Sequence, residues 1–540
     1  MRNSLFIFLV GLLISLSSCR NDFEFESSKG GLTFSKDTVY LDTVFTNIGS
    51  STYRLKVYNK SDADISIPNI QLGKGVNSKY RMMIDGLTGE DGTDDGTIGD
   101  GKIFNDVELL AKDSMFIFIE VTSDVASANP TDFLYTDQIN FIHGNGEIQK
   151  VELVTLIQDA YFIYPQRSGV DDDFIYETVN FGVNDDAENV IAVGSNLDHA
   201  DPTNGDEYTW GNTKPYVVYG YAFVPDGETL TVNPGARVHF HANSGLVIGK
   251  NAVLKINGGL STTEALENEV IFEGDRLEPE FSNVPGQWGA IINYSTSTEN
   301  YINHLTIKNA TIGILSQNLA TITDTATPYL KIQNSQIYDC SNFGLLARKS
   351  NVEGTNLVIN NAGQATLACT YGGTYNFTHC TFNNNWSSSN QVAVLVNNNL
   401  ETNDAIYVKD LVAANFNNCI IYGGNQVEMI LDNVQSDTVT TLFNYKFNHC
   451  LIRFNNINNQ FTSNPLYQFT TDSIHYINCS IATNSSTFNP KFEDESLNQL
   501  WLSEDLNLPN DSSFATLYPF DINNNDRTTS TDLGAYQFVP

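Results

Sequence analysis

Seven copies of one six-residue phrase constrain this chain more than any other feature. INHLTI (302–307), IQNSQI (332–337), GTNLVI (354–359), FTHCTF (377–382), FNNCII (416–421), FNHCLI (447–452) and YINCSI (476–481) share one form. Position three is always His or Asn: His304, Asn334, Asn356, His379, Asn418, His449 and Asn478. Position four holds Leu305, Ser335, Leu357, Cys380, Cys419, Cys450 and Cys479, and position six is always Ile or Phe. The starts are 30, 22, 23, 39, 31 and 29 residues apart, so the shortest interval approximates one coil and the longer ones contain insertions. A period of that size points to stacked repeats. A second series, GLLAR (344–348), ATLAC (365–369), AVLVN (393–397) and EMILDN (428–433), reads as another strand of the same coils. Together they predict parallel strands piled coil upon coil, with like residues above one another.

That alignment decides how FNHC is read. Asn before an inward strand bonds to nearby backbone and tolerates left-handed geometry, and His supplies a ring nitrogen for the same purpose. Position three therefore predicts a side-chain ladder along one corner, and position four an inward column of cysteines. The alternatives are a metal site or a Cys–His nucleophile. His379 and His449 stand two rungs apart, roughly 10 Å at about 4.8 Å per stacked strand, too far to share one ion. A nucleophile needs an exposed thiol and an oriented base, whereas Cys450 is expected to face inward. Disulfides between stacked cysteines stay open as an alternative, and Cys340 and Cys369 fall off the column.

Upstream, residues 31–160 alternate apolar and polar residues in short segments such as LTFSKDTVYLDTVF, STYRLKVYN and SMFIFIEVT, broken by Asn, Gly and Asp. This predicts an antiparallel sandwich without an inter-sheet disulfide, since the region has no cysteine. Within it, DGLTGEDGTDDGTIGDGK (85–102) partly matches calcium-loop spacing through Asp91, Thr93, Asp95, Gly96 and Ile98. Lys102 stands where the bidentate acid belongs, so the loop reads as a solvated acidic hairpin, with Ca2+ binding as the alternative. The DDD run at 171–173 has the same two readings.

The N-terminus MRNSLFIFLVGLLISLSSC places Arg2 before an apolar run from Leu5 to Leu16 that is too short to span a bilayer comfortably. It reads as a processed export signal. The chain carries 63 Asp+Glu against 28 Lys+Arg, a formal charge of -35. Such a body repels polyanions, and no nucleic-acid partner is expected.

LSSC resembles the end of a bacterial lipoprotein signal, which would make Cys19 the lipidated first residue of the mature protein and anchor it to a membrane. TLTVNPGARVHF, SGLVIGKNAVLKINGG, VPGQWGAIINYS, INHLTIKNATIGI and the closing DLGAYQF resemble surface lipoproteins of Bacteroidetes with a right-handed parallel β-helix of the pectate-lyase-like kind. LTFSKDTVYLDTVFTNIGSSTYRLKVYN resembles the immunoglobulin-like sandwich that precedes the helix in that group. The resemblance implies an all-β chain: signal peptide 1–18, lipidated cysteine and tether 19–30, sandwich 31–160, connector or helix cap 161–215, parallel β-helix 216–490 and C-terminal cap 491–540. It implies an outer-membrane location, with the body at the cell surface or in the periplasm.

No motif transfers a catalytic residue. The fold also serves polysaccharide lyases and glycoside hydrolases, so fold alone assigns no activity. The expectation is a noncatalytic surface scaffold or adhesin-like module that binds a glycan or a surface protein, with Trp288, Tyr294, Trp386 and Tyr422 as candidate ligand contacts. The alternative is a carbohydrate-active enzyme using a groove of the helix. That would require opposed carboxylates, or a base beside clustered acids.

Overall fold

The computed structural model describes residues 24–91, 99–129, 133–169, 174–183, 189–318, 327–403, 405–435 and 440–540. Cys19, most of the calcium-like loop and the DDD run lie outside them. The chain is all-β and divides into two compact units, Met1–Asp159 and Ala160–Pro540.

The first unit encloses one apolar core between two sheets. One contains Glu26–Ser27, Ile65–Leu72, Leu134–Ile142, Ile148–Gln158 and Thr38–Phe45, with Ile103–Leu109 joined to Ile65–Leu72. The other runs Thr33–Phe34, Tyr53–Tyr58, Ser114–Val121, Tyr80–Ile84. Period-two alternation explains the burial. In Ser114–Val121, Met115, Ile117, Ile119 and Val121 face the core while Phe116 and Phe118 face solvent. The sheets are not purely antiparallel, as the sequence suggested. Thr38–Phe45 pairs in parallel with Ile148–Gln158, and Glu26–Ser27 in parallel with Ile65–Ser66. Both pairs join segments remote in the chain, where no hairpin dictates the opposite direction.

The second unit is built from parallel strands stacked coil on coil. Eleven form one sheet, from Tyr161–Ile163 through Leu305–Lys308, Gln336–Cys340 and Val358–Ala362 to Ser480–Ala482. The position-six residues pair directly: Ile307 with Ile337, Ile337 with Ile359, then Phe382, Ile421, Ile452 and Ile481. The second register stacks likewise in the larger sheet, as Ala347, Cys369 and Val396. The 39-residue interval holds an inserted antiparallel hairpin, Asn399–Glu401 with Ile406–Val408. Stacking like on like makes one continuous apolar core, and each fully buried Ile or Phe contributes about 1.5–3 kcal/mol.

An aromatic cluster closes the last coil. Phe454 lies 5.2 Å from Phe461 and 4.9 Å from Tyr467, and Phe469 lies 4.7 Å from Tyr476. The C-terminal segment, expected as the cap, runs instead along the outer face of the eleven-stranded sheet. Leu500, Ile522, Ala535 and Tyr536 cover Tyr338 and Val358, while Leu502 and Leu533 cover Ile420, Tyr422 and Leu451. Its physical reason is visible in the strands: those outward positions are apolar and need cover.

Candidate functional site

The position-three residues share one backbone state. His304, Asn334, Asn356, His379, Asn418, His449 and Asn478 have φ of 48°, 46°, 49°, 51°, 49°, 51° and 48°. Their side chains bond between coils in short runs. Asn356 Nδ2 donates to Asn334 Oδ1 (2.9 Å), and Asn334 Nδ2 to Asn303 Oδ1 (3.0 Å). Asn418 Nδ2 donates to His379 Nε2 (3.3 Å), and Asn478 Nδ2 to His449 Nε2 (3.0 Å). With Nε2 accepting, the His449 proton sits on Nδ1 and is donated to Asn448 Oδ1 (2.8 Å). Burial pushes the His379 pKa well below its ordinary value, and Arg527 adds to the shift.

Cys380, Cys419 and Cys450 are buried beneath these residues, and Cys479 is partly exposed. All six described cysteines are free thiols. Burial pushes the Cys380 and Cys450 thiols well up, so neither is a ready nucleophile.

Three of the four candidate ligand aromatics are packed away. Trp288, 1% exposed, stacks on Phe240 at 4.3 Å between centroids and donates Nε1–H to Lys308 O (2.8 Å). Tyr294 is buried with Val179, Phe181 and Val247. Tyr422 is buried under the C-terminal segment beside Leu451 and Leu533. In each case an apolar ring next to a sheet was worth more inside than at a ligand. Trp386 is half-buried against Gly363. Glu428 is fully buried, and burial raises its carboxyl to about 8.

A cleft forms where the ladder corner meets the C-terminal segment. It measures about 480 Å³. His304, Gln333, Asn334, Thr355 and Asn356 supply the floor, and Leu517, Tyr518, Pro519, Phe520, Asp521, Ile522 and Asn524 the opposite wall, with Leu260 at the side. The short helix Ser512–Leu517 delivers that wall, capped by Asp511, whose carboxylate accepts from Ser513 N. Asp511 also exchanges two hydrogen bonds with Asn418, accepting at its carbonyl (3.0 Å) and donating from N (2.9 Å). Asn356 Nδ2 donates to Phe520 O (2.9 Å). Ladder and tail thus fix each other, and the cleft needs both.

Its free hydrogen-bonding groups are specific. Among the described residues the His304 imidazole has no partner, and burial holds its pKa below the ordinary value. The Thr355 hydroxyl is closed to solvent and lies against Tyr518. Asp521, by contrast, is saturated: Oδ1 accepts from Asn523 N and Asn525 N, and Oδ2 from Asn525 Nδ2 and Gln537 N. Leu517 (68% exposed) and Phe520 (48%) leave an apolar rim over this polar floor.

A second polar cluster lies on the outer face of the first coils. His241 Nδ1 is 2.7 Å from Asp275 Oδ2, and Tyr219 stacks on His241 at 4.5 Å. Asp275 raises the His241 pKa above its ordinary value. On the neighbouring column, Glu273 reaches Lys308 (3.5 Å) and His239 (3.8 Å). No group of three or more His, Cys, Asp or Glu side chains among the described residues has metal-binding geometry. Lys102, at the acid position of the calcium-like loop, donates Nζ–H to Ser78 O (2.9 Å).

Sequence reasoning identified the ladder side of the cleft as architecture and missed the tail side altogether. Residues 517–524 carry no motif; only the fold brings them to the corner.

No family model and no curated protein matches the chain. Among solved structures, a family 123 glycoside hydrolase from Clostridium perfringens, studied for glycolipid glycan hydrolysis, aligns at 6% identity and a TM-score of 0.16. The alignment covers 24% of this chain and 30% of the hydrolase. Likeness that slight carries no argument about fold or activity.

Proposed function

We propose that this chain is a noncatalytic cell-envelope lipoprotein, anchored through Cys19, that binds a glycan in the cleft between the ladder corner and the C-terminal segment. In this reading an immunoglobulin-like sandwich precedes a right-handed parallel β-helix, and the body sits on the outer membrane, facing the medium or the periplasm. The observation that carries the binding role is the cleft itself. It sets the unpartnered His304 imidazole below an apolar, aromatic rim, a pairing suited to the hydroxyls and C–H faces of a sugar, and its volume is that of a ligand site. Its one carboxylate, Asp521, is fully engaged as a structural acceptor and leaves no acid–base pair there.

The test is a polysaccharide panel that records both binding and product release. Binding without products supports the proposal, and Phe520→Ala is expected to weaken it at least fivefold. Release of oligosaccharides overturns the noncatalytic part. The alternative, a lyase or hydrolase, is favoured by the His241–Asp275 pair beside Glu273 and Lys308. If products appear, His241→Ala should abolish them. Anchoring is tested separately: Cys19→Ser should move the protein from the membrane fraction to the soluble one.

A further inference from the structure

We infer that the cleft takes an uncharged saccharide and turns away uronate- or sulfate-bearing chains. The inference rests on the glycan-binding reading above and adds the chemical class of its ligand. None of the thirteen lining residues is Lys or Arg. The polar lining is amide, hydroxyl and imidazole, together with one carboxylate. The Asp521 carboxylate stands at the wall, held in place by its four acceptor bonds.

The charges behind the lining point the same way. Arg527 is fully buried behind Asn356, donating from Nη2 to Asn356 Oδ1 (3.4 Å) and Gly534 O (3.0 Å). Asp521 and Asp532 both oppose its charge. Lys331, on the neighbouring strand, stands in register beside Glu353, and Glu353 acts on Tyr518 in the cleft wall. His304 is kept neutral by its burial and adds no cation at neutral pH. A carboxylate or sulfate entering here would lose its hydration without gaining a charged partner. It would also approach a body whose formal charge is -35. A neutral sugar incurs neither cost. Its hydroxyls can donate to or accept from the His304 ring, and its apolar face can rest on Phe520 and Leu517.

The experiment titrates the full chain by calorimetry at pH 7.5 with two sets of hexasaccharides. One set is neutral (β-1,4-linked xylose, mannose and galactose), and the other acidic (oligogalacturonate and a sulfated galactan). At least one neutral probe should bind, with every acidic probe at least tenfold weaker at low salt. Leu517→Lys places a cation at the exposed rim without touching the core. It should narrow the difference severalfold by strengthening acidic probes relative to neutral ones, and added salt should erase that gain. Acidic probes binding as tightly as neutral ones would overturn the inference while leaving the glycan-binding role standing. A Leu517→Lys variant with unchanged discrimination would overturn it as well. If no probe of either set binds, the glycan-binding reading and this inference fail together.

Discussion

A side chain held near φ +50° costs about 1–2 kcal/mol when nothing local compensates it, and seven residues accept that geometry along one corner. Asn and His suit it because most of them bond to a neighbouring coil, and Asn also tolerates the left-handed backbone better than most residues. Asn418 ties ladder to tail, joining His379 on one side and Asp511 of the tail on the other. Asn418→Ala should therefore lower stability by about 2–4 kcal/mol, from left-handed strain and lost hydrogen bonds together. Asn418→Gly removes the same bonds without the strain and should cost about 1–2 kcal/mol less, both read from urea midpoints. His379 gives a pH dependence of defined sign. Its native pKa lies well below the ordinary 6.5. As pH falls through 6.5 the unfolded chain binds a proton that the native chain refuses. Its contribution is thus full above that pH and declines below it, by at most about 1.4 kcal/mol per pH unit. Urea midpoints measured from pH 7.5 to 5 should fall less steeply for His379→Asn than for the parent, while equal slopes would show that His379 does not titrate as its burial implies.

At the level of elements, the column of thiols and the tail make separate claims. The cysteine column is packing: a thiol reagent should leave Cys340, Cys369, Cys380, Cys419 and Cys450 unmodified in the native protein and reach at most the partly exposed Cys479. All should react in denaturant, and fast native labelling of Cys450 would restore it as a candidate nucleophile. The tail depends on close approach. Gly534 has φ +82°, and a Cβ there would come within 2.6 Å of Thr381 Oγ1 and 2.8 Å of Ile420 Cδ1. Gly534→Ala should loosen 517–540 by roughly 1–3 kcal/mol through strain and clash. Hydrogen exchange should then rise in the tail but not in the coil strands beneath it, and glycan binding should fall with it.

At the level of the molecule, the two units own separate cores, one of Val39, Ile67, Ile117 and their neighbours, the other the stacked interior of the coils. Calorimetry should resolve two unfolding transitions, the larger belonging to 160–540; a single two-state transition would show that the units unfold as one. The repeat phrase by itself determined the strand register, because a residue that recurs once per coil has to stack on its own copy, and the pairing of Ile337 with Ile359 and of Ile421 with Ile452 follows from spacing alone. It also marked the corner, since Asn and His before an inward strand are a local preference written in local sequence. What the sequence left open was decided by long-range packing. Trp288, Tyr294 and Tyr422 look like surface contacts until strands remote from them in the chain cover them. The cleft likewise joins His304 and Asn334 to residues 517–524, which lie roughly two hundred positions away and share no pattern with the ladder. Only the tertiary fold brings those pieces together, because the tail is drawn onto the apolar outer face of the sheet and its path along that face sets where the cleft opens.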